Sequence, residues 1–453
     1  MRIKYLTGIV VVVILLGLAF ALSGCCGGSS SSTSSTGTID PGTTSSGTVV
    51  VQSNKERNTS PQVSAENISA LVQGNTSFAL DLYHFLANEK KDRNRFFSPY
   101  SISLAFAMAY GGARSNTETQ MKNIFHYTLG QGYLHSAFNA LSLDLASREQ
   151  DYDKDGVKDF QLKIANSMWG QKGYIFLTEY LDLLAENYGA GIRLVDLQHE
   201  PDSSCKAIND WINEKTEGLI KGGISKDDLN EYSLFVLVNA VYFKAKWMYE
   251  FSETSTHDDT FYAPQGKVTI PMMYLWPTVK YGEGENYQAA EIPYKGNTSG
   301  MVVLLPKEGK FEEFEASLTA ERLAQIIENL KSQVVVLKLP KFDYRPDEIN
   351  LKDVLSRMGM TDAFKNPDAD FSGMDGIPHW IYLHFARHKA FVSVDEHGTE
   401  AAAVTVMGGG GGGYPETPKI EFIVNRPFIF LIRDRVTGTI LFMGRILNPL
   451  ANG

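Results

Sequence analysis

Asp151, Asp153, Asp155 and Asp159 are the first residues whose spacing suggests chemistry, standing in and just after Asp151-Tyr152-Asp153-Lys154-Asp155-Gly156. Counted from Asp151 they fall at positions 1, 3, 5 and 9 of a calcium loop of the EF-hand type, and Gly156 takes position 6, where the chain must turn sharply. Position 12 needs a bidentate glutamate and is Leu162. The cluster therefore reads either as a solvated acidic turn or as a weak structural Ca²⁺ site, and no metal is assigned to the chain. Asp395-Glu396-His397 sets acids beside a histidine, yet neighbours on an extended chain point to opposite faces. Gly408 to Gly413 satisfies GxGxxG trivially, without the strand and helix that would flank a dinucleotide loop. HExxH, a P-loop, CxxC pairs and the GxSxG elbow are absent. No enzyme activity and no cofactor are expected.

The elements that must position these residues belong to an ordinary globular composition: 453 residues, 43% hydrophobic, 21% charged and 11% aromatic. The net charge of −10 gives no attraction for phosphate backbones, so nucleic acid is not an expected partner. Three cysteines (Cys25, Cys26 and Cys205) cannot build a disulfide framework.

Three regions follow from composition. Residues 1–24 carry Arg2 and Lys4, an apolar run from Ile9 to Leu22, and small residues before a break, the layout of an export signal. The ending Leu22-Ser23-Gly24-Cys25 resembles the lipobox of prokaryotic lipoproteins, which implies lipid on Cys25 and anchoring at the cell-surface membrane; the alternative is an exported, extracellular protein. Residues 25–62 are mostly Ser, Thr and Gly and read as a flexible tether. Residues 63–453 are globular throughout, with no internal period. Four Asn-x-Ser/Thr sequons begin at Asn58, Asn67, Asn75 and Asn297; they matter only in a host that glycosylates exported proteins.

Within the globular part, Leu71, Phe78, Leu82 and Phe85 place a helix over Ala65 to Lys91. A second helix runs from Ile102 to Tyr110, entered through Ser98-Pro99. Leu234 to Val238, Met301 to Leu305 and Val334 to Leu337 read as strands buried on both faces. Phe428 to Ile432 and Thr439 to Phe442 flank a turn at Thr437-Gly438 and make a hairpin. Helices gather early and strands late, so the fold class is α+β.

Ser393 to Pro427 is the most informative segment. Good strand formers (Val404, Thr405, Val406) follow the small Ala401-Ala402-Ala403 and precede six glycines. It reads as a long functional loop, or as a surface loop beside a short helix from Thr399. Glu396-His397-Gly398-Thr399-Glu400-Ala401-Ala402-Ala403 closely resembles the hinge of the serpin reactive-centre loop. Further serpin-like motifs stand in order: Asn94 to Ile102, Ile208-Asn209-Asp210-Trp211 with Thr216-Glu217-Gly218, Leu237 to Trp247, His388-Lys389-Ala390, and Asn425 to Phe428 with Phe442 to Pro449. The resemblance covers roughly residues 63 to 450.

That resemblance implies a serpin fold, with a large, mostly antiparallel central sheet, further sheets, surrounding helices and an exposed loop. It also implies a monomer that traps a serine or cysteine protease by suicide: the protease acylates itself on the loop, which then enters the sheet. Small, uncharged Thr399 and Ala401 to Ala403 suit entry, and alternation sends Glu400 to solvent. Ser98, Ser101, Asn239 and His388 map onto the buried polar shutter, and Trp247 onto the breach where the loop enters. Counting forward from Glu396 puts the reactive bond at Gly412–Gly413; counting back from Asn425 puts it at Glu416–Thr417. The glycine run keeps open a non-inhibitory serpin acting as a binding or scaffold protein at the cell surface.

Overall fold

An apolar run long enough to be buried on both faces needs cover from both sides, and the main sheet of this protein has it. In the computed structural model, which describes residues 42–43, 48–154, 156–216, 218, 222–399 and 420–451, Leu234 to Val238 lies almost wholly within a twelve-residue strand, Phe235–Lys246. The described residues fall in one compact unit, Ile39–Gly453. The main sheet contains β1 (Val49–Val51), β2 (Phe160–Gln171), β3 (Ile192–Val195), β4 (Phe235–Lys246), β5 (Phe342–Tyr344), β6 (Phe385–Lys389), β7 (Val392–Val394) and β8 (Gly398–Thr399). Their order is β1-β3-β2-β4-β8-β7-β5, with β6 also paired to β4. The antiparallel β2–β4 pair runs from Phe160↔Ala245 to Gly170↔Phe235 and sets Asn166 beside Asn239.

Five helices matter for the site: α1 (Ala65–Glu89), α2 (Pro99–Tyr110), α3 (Gln131–Ala146), α4 (Thr178–Tyr188) and α5 (Pro201–Lys215). Ser64 caps α1 by accepting from the Asn67 amide. Every residue of α2 is buried, as a helix apolar on all sides must be, and its Ser98 cap accepts from the Ser101 amide. α2 packs under the sheet in the main core, whereas Ile208, Trp211 and Ile212 of α5 cover Val236, Val238 and Ala240 on the other face. β4 is thereby shielded on both sides.

A second sheet carries Tyr287–Pro293, Ser299–Pro306, Phe428–Asp434 and Ile440–Ile446 as successive antiparallel neighbours, so the expected hairpin and the Met301 strand are both present. The chain re-enters after residue 419 as Ile420–Ile423, parallel to Lys331–Pro340. Helices and large mixed sheets together make an α+β fold.

Three expectations change. The Val334 strand, expected to be buried on both faces, spans Lys331–Pro340 and leaves Val334 45% exposed, because its first half lies at a rim of the sheet. Thr399, read in one alternative as the start of a short helix, lies in β8. Residues 48–62, assigned by composition to the tether, are docked on the domain. Val49–Val51 pairs with β3, Ser53 and Lys55 reach Asp182, and Arg57 reaches Asn139. Their three consecutive valines suit an edge strand, a local signal that the surrounding Ser and Thr obscured. Among the described residues no helix is long and apolar enough to cross a membrane.

Candidate functional site

The site is built where β4 changes partner. At its lower end β4 pairs in parallel with β6, from Phe385↔Val236 through His388↔Asn239 to Lys389↔Ala240. At its upper end it pairs antiparallel with β8, as Gly398↔Lys246 and Thr399↔Ala245. β8 also pairs with β7 through Val394↔Thr399, so the start of the hinge already sits between two strands of the sheet.

The upper end holds the residues expected at the breach. Gly398 lies so close to β4 that a Cβ there would stand 2.0 Å from the Ala245 carbonyl oxygen, which is why no larger residue fits. Thr399 is buried and its hydroxyl pairs with that of Tyr294 at 2.6 Å. Tyr294 stacks on Trp247 with ring centroids 4.7 Å apart, and the Trp247 indole donates to the Asp395 carbonyl at 2.9 Å. Glu396 is buried and accepts from Lys341 at 2.7 Å and from the Thr256 hydroxyl at 2.8 Å. Burial works against its charge, but Lys341 and Thr256 outweigh it and hold the carboxyl below its ordinary range. His397 turns the other way, to Glu250 at 3.1 Å, whose hydrogen bond raises the imidazole above its ordinary value. Asp395 accepts the His397 and Gly398 amides at 2.9 and 3.1 Å. The acids and the histidine of this triplet thus act as separate anchors.

The lower end holds the residues expected to form the shutter. Ser98, Ser101, Asn239 and His388 are all buried and meet one another. His388 Nε2 accepts from the Ser98 backbone N–H at 3.0 Å, which leaves Nδ1 to carry the proton and donate to Asn239 Oδ1. Asn239 Nδ2 donates to the Ser101 hydroxyl at 2.6 Å and carbonyl at 2.9 Å, and to Asn166. The Ser98 hydroxyl donates to the Leu441 carbonyl at 2.7 Å. Burial pushes the His388 imidazole down to about 3, which agrees with a ring that must be neutral to accept at Nε2.

The acidic cluster is arranged differently. Asp159 is buried; it accepts the Tyr152 and Asp153 amides at 2.7 and 2.9 Å and meets Lys246 at 2.6 Å. Asp153 pairs with Lys295, and Asp151 accepts the Gly156 amide at 2.8 Å. These carboxylates face lysines and amides, and among the described residues no group of three or more His, Cys, Asp or Glu is placed to hold a metal. Asp155, Cys25, Glu400, Ala401, Ala402, Ala403, Gly412, Gly413, Glu416 and Thr417 lie outside the described residues.

Sequence reasoning missed Tyr294, Lys341, Thr256 and Asn166. No motif surrounds them; each is found only through its partner. For Lys341 there was one indirect signal, since a buried glutamate at the hinge needs a cation.

Comparison with known proteins agrees with this arrangement. The profile of the serpin (serine protease inhibitor) family matches residues 73–449. A serpin-like protein of Thermococcus kodakarensis is 41% identical over 381 residues, covering 84% of this chain and 86% of its own. The human leukocyte elastase inhibitor is 36% identical over 390 residues, covering 84% and 99%. Among solved structures, the thermophilic serpin tengpin in its native state superposes with a TM-score of 0.73 at 30% identity, covering 88% of this chain and 97% of its own. Thyroxine-binding globulin in complex with thyroxine gives 0.71 at 28% identity, covering 84% and 99%. The chain belongs to the serpin family.

Proposed function

We propose that this serpin is an inhibitor that traps a serine protease as an acyl-enzyme. In this reading the protease serine Oγ attacks a loop carbonyl, the peptide C–N bond breaks, and the new amine leaves while the ester remains. The loop N-terminal to the cut then enters the sheet behind β8.

The observation that carries the reading is the register of β8 on β4. Continued one residue for one from Thr399↔Ala245, it sets Ala401 opposite Phe243, Ala403 opposite Val241 and Thr405 opposite Asn239. Phe243 and Val241 belong to the core beneath the sheet, and alanines facing that close-packed side bring little volume to it. Glu400 comes opposite Lys244, a favourable cross-strand pair. From Val404 onward the incoming strand must take the place of β6, whose pairing with β4 ends at Lys389↔Ala240. Thr405 then replaces His388 beside Asn239, which makes the shutter the gate that insertion has to open.

We place the reactive bond at Gly412–Gly413, with Glu416–Thr417 as the second assignment. We further propose that the chain is an exported monomer, held at the cell surface by lipid on Cys25. The second reading is a non-inhibitory binding or scaffold serpin, favoured by the glycine run, which gives a protease no P1 side chain.

Incubation with a panel of serine proteases, read by denaturing electrophoresis and mass spectrometry, tests the reading. Inhibition gives a covalent complex of the protease with the part of the chain N-terminal to the cut, the C-terminal piece separating on denaturation. Loop cleavage by every protease with no complex would establish a substrate instead.

A further inference from the structure

The docked N-terminal segment closes one side of a cavity beside the main sheet, whose wall includes Asn166, the partner of Asn239. It measures about 200 Å³ and lies between β2, α2 and α3. Leu104 and Met108 of α2, Leu145 of α3, and Leu162 and Ile164 of β2 give it apolar walls. The Tyr100 and Ser142 hydroxyls, also in its wall, satisfy each other at 2.9 Å.

Arg57 supplies the charge. Its stem crosses Gly189 at the end of α4, where an added Cβ would stand 3.1 Å from Arg57 Cδ. Its Nε donates to Asn139 Oδ1 at 2.8 Å. Among the described residues no carboxylate lies within ion-pair distance of Arg57, although burial is strong enough to lower its pKa. Nearby Lys55, two residues earlier, takes both Asp182 and Glu186. A partly buried guanidinium without an acid is an incomplete pair, and the fork of an arginine matches a carboxylate in two hydrogen bonds. A dry cavity of about 150 Å³ is enough to admit benzene, so this one has room for a somewhat larger apolar body.

We infer that this cavity is a binding site for a small apolar monocarboxylate, its tail against Leu104, Met108 and Ile164 and its carboxylate on Arg57. The inference is independent of whether the chain inhibits a protease.

The test titrates sodium octanoate into the full chain carrying methionines labelled with ¹³C at the methyl group, so that Met108 reports the cavity among 13 methionines. Octanoate should shift the Met108 resonance saturably, and 1-octanol, of the same length without the charge, should bind at least tenfold more weakly. Arg57→Met should weaken octanoate at least tenfold while leaving octanol affinity unchanged. Should Arg57→Met undock the N-terminal segment, Ala146→Trp at the rim keeps the charge, narrows the entrance and should also weaken octanoate tenfold. An unmoved Met108 resonance, octanol binding as tightly as octanoate, or wild-type affinity in either folded variant would overturn the inference.

Discussion

At the scale of single residues, the proposed hinge sets side by side two positions with opposite requirements. Gly398 tolerates no Cβ against Ala245, whereas Thr399 fills a buried place under the sheet and pairs its hydroxyl with Tyr294. An arginine at 399 would bring an unpaired charge into that place, costing several kcal/mol. Thr399→Arg is therefore expected to leave a protein that is cleaved but forms little covalent complex; complex formed at wild-type stoichiometry would refute the role given to Thr399. His388 supports a second expectation. Its folded-state value of about 3 lies below the ordinary 6.5, so the unfolded chain binds more protons between those values. Stability is then fully present above about pH 6.5 and is lost as the pH falls toward 3. Buried His135, pushed down to about 4, acts in the same direction. Urea unfolding across this range should show that slope, and His388→Gln should flatten it while lowering stability at neutral pH.

At the scale of elements, β4 sets the length of strand that can be gained. It ends at Phe235, which the continued register places opposite Gly409. Gly408 and Gly409 would thus lie within the sheet, and Gly410 to Gly412 would run past its end. Two glycines in a strand forgo about 1–2 kcal/mol, a tolerable weakness at the last pairs to form. Gly408→Thr should stabilise the loop-cleaved form and lengthen the life of any protease complex, and Gly410→Val should do neither. Equal effects from both would place more of the run in the sheet than β4 allows. Much of this was readable in the sequence. Apolar runs located β4 and the Met301 strand, and Ser98-Pro99 located the start of α2. The partners were not readable, because Lys341, Tyr294 and Asn166 reach the site through long-range folding that leaves no local pattern. The edge strand Val49–Val51 was hidden for the opposite reason: a short β-branched run sits in a segment whose composition otherwise argues against structure.

At the scale of the whole molecule, the proposed strand-accepting sheet belongs to a chain with a proposed N-terminal anchor. If Cys25 carries the lipid, Cys25→Ser should move the protein from the membrane pellet to the soluble fraction. Retention in the pellet would mean that the apolar N-terminal run is itself the anchor. The central claim, that the loop becomes a strand between β4 and β6, is tested most directly by the thermal unfolding midpoint before and after a nonspecific protease cuts the loop. Insertion adds about ten residues of new pairing, each hydrogen bond contributing on the order of 1 kcal/mol, so the cleaved form should unfold about 10 °C or more above the intact one. A midpoint unchanged by cleavage would contradict the account.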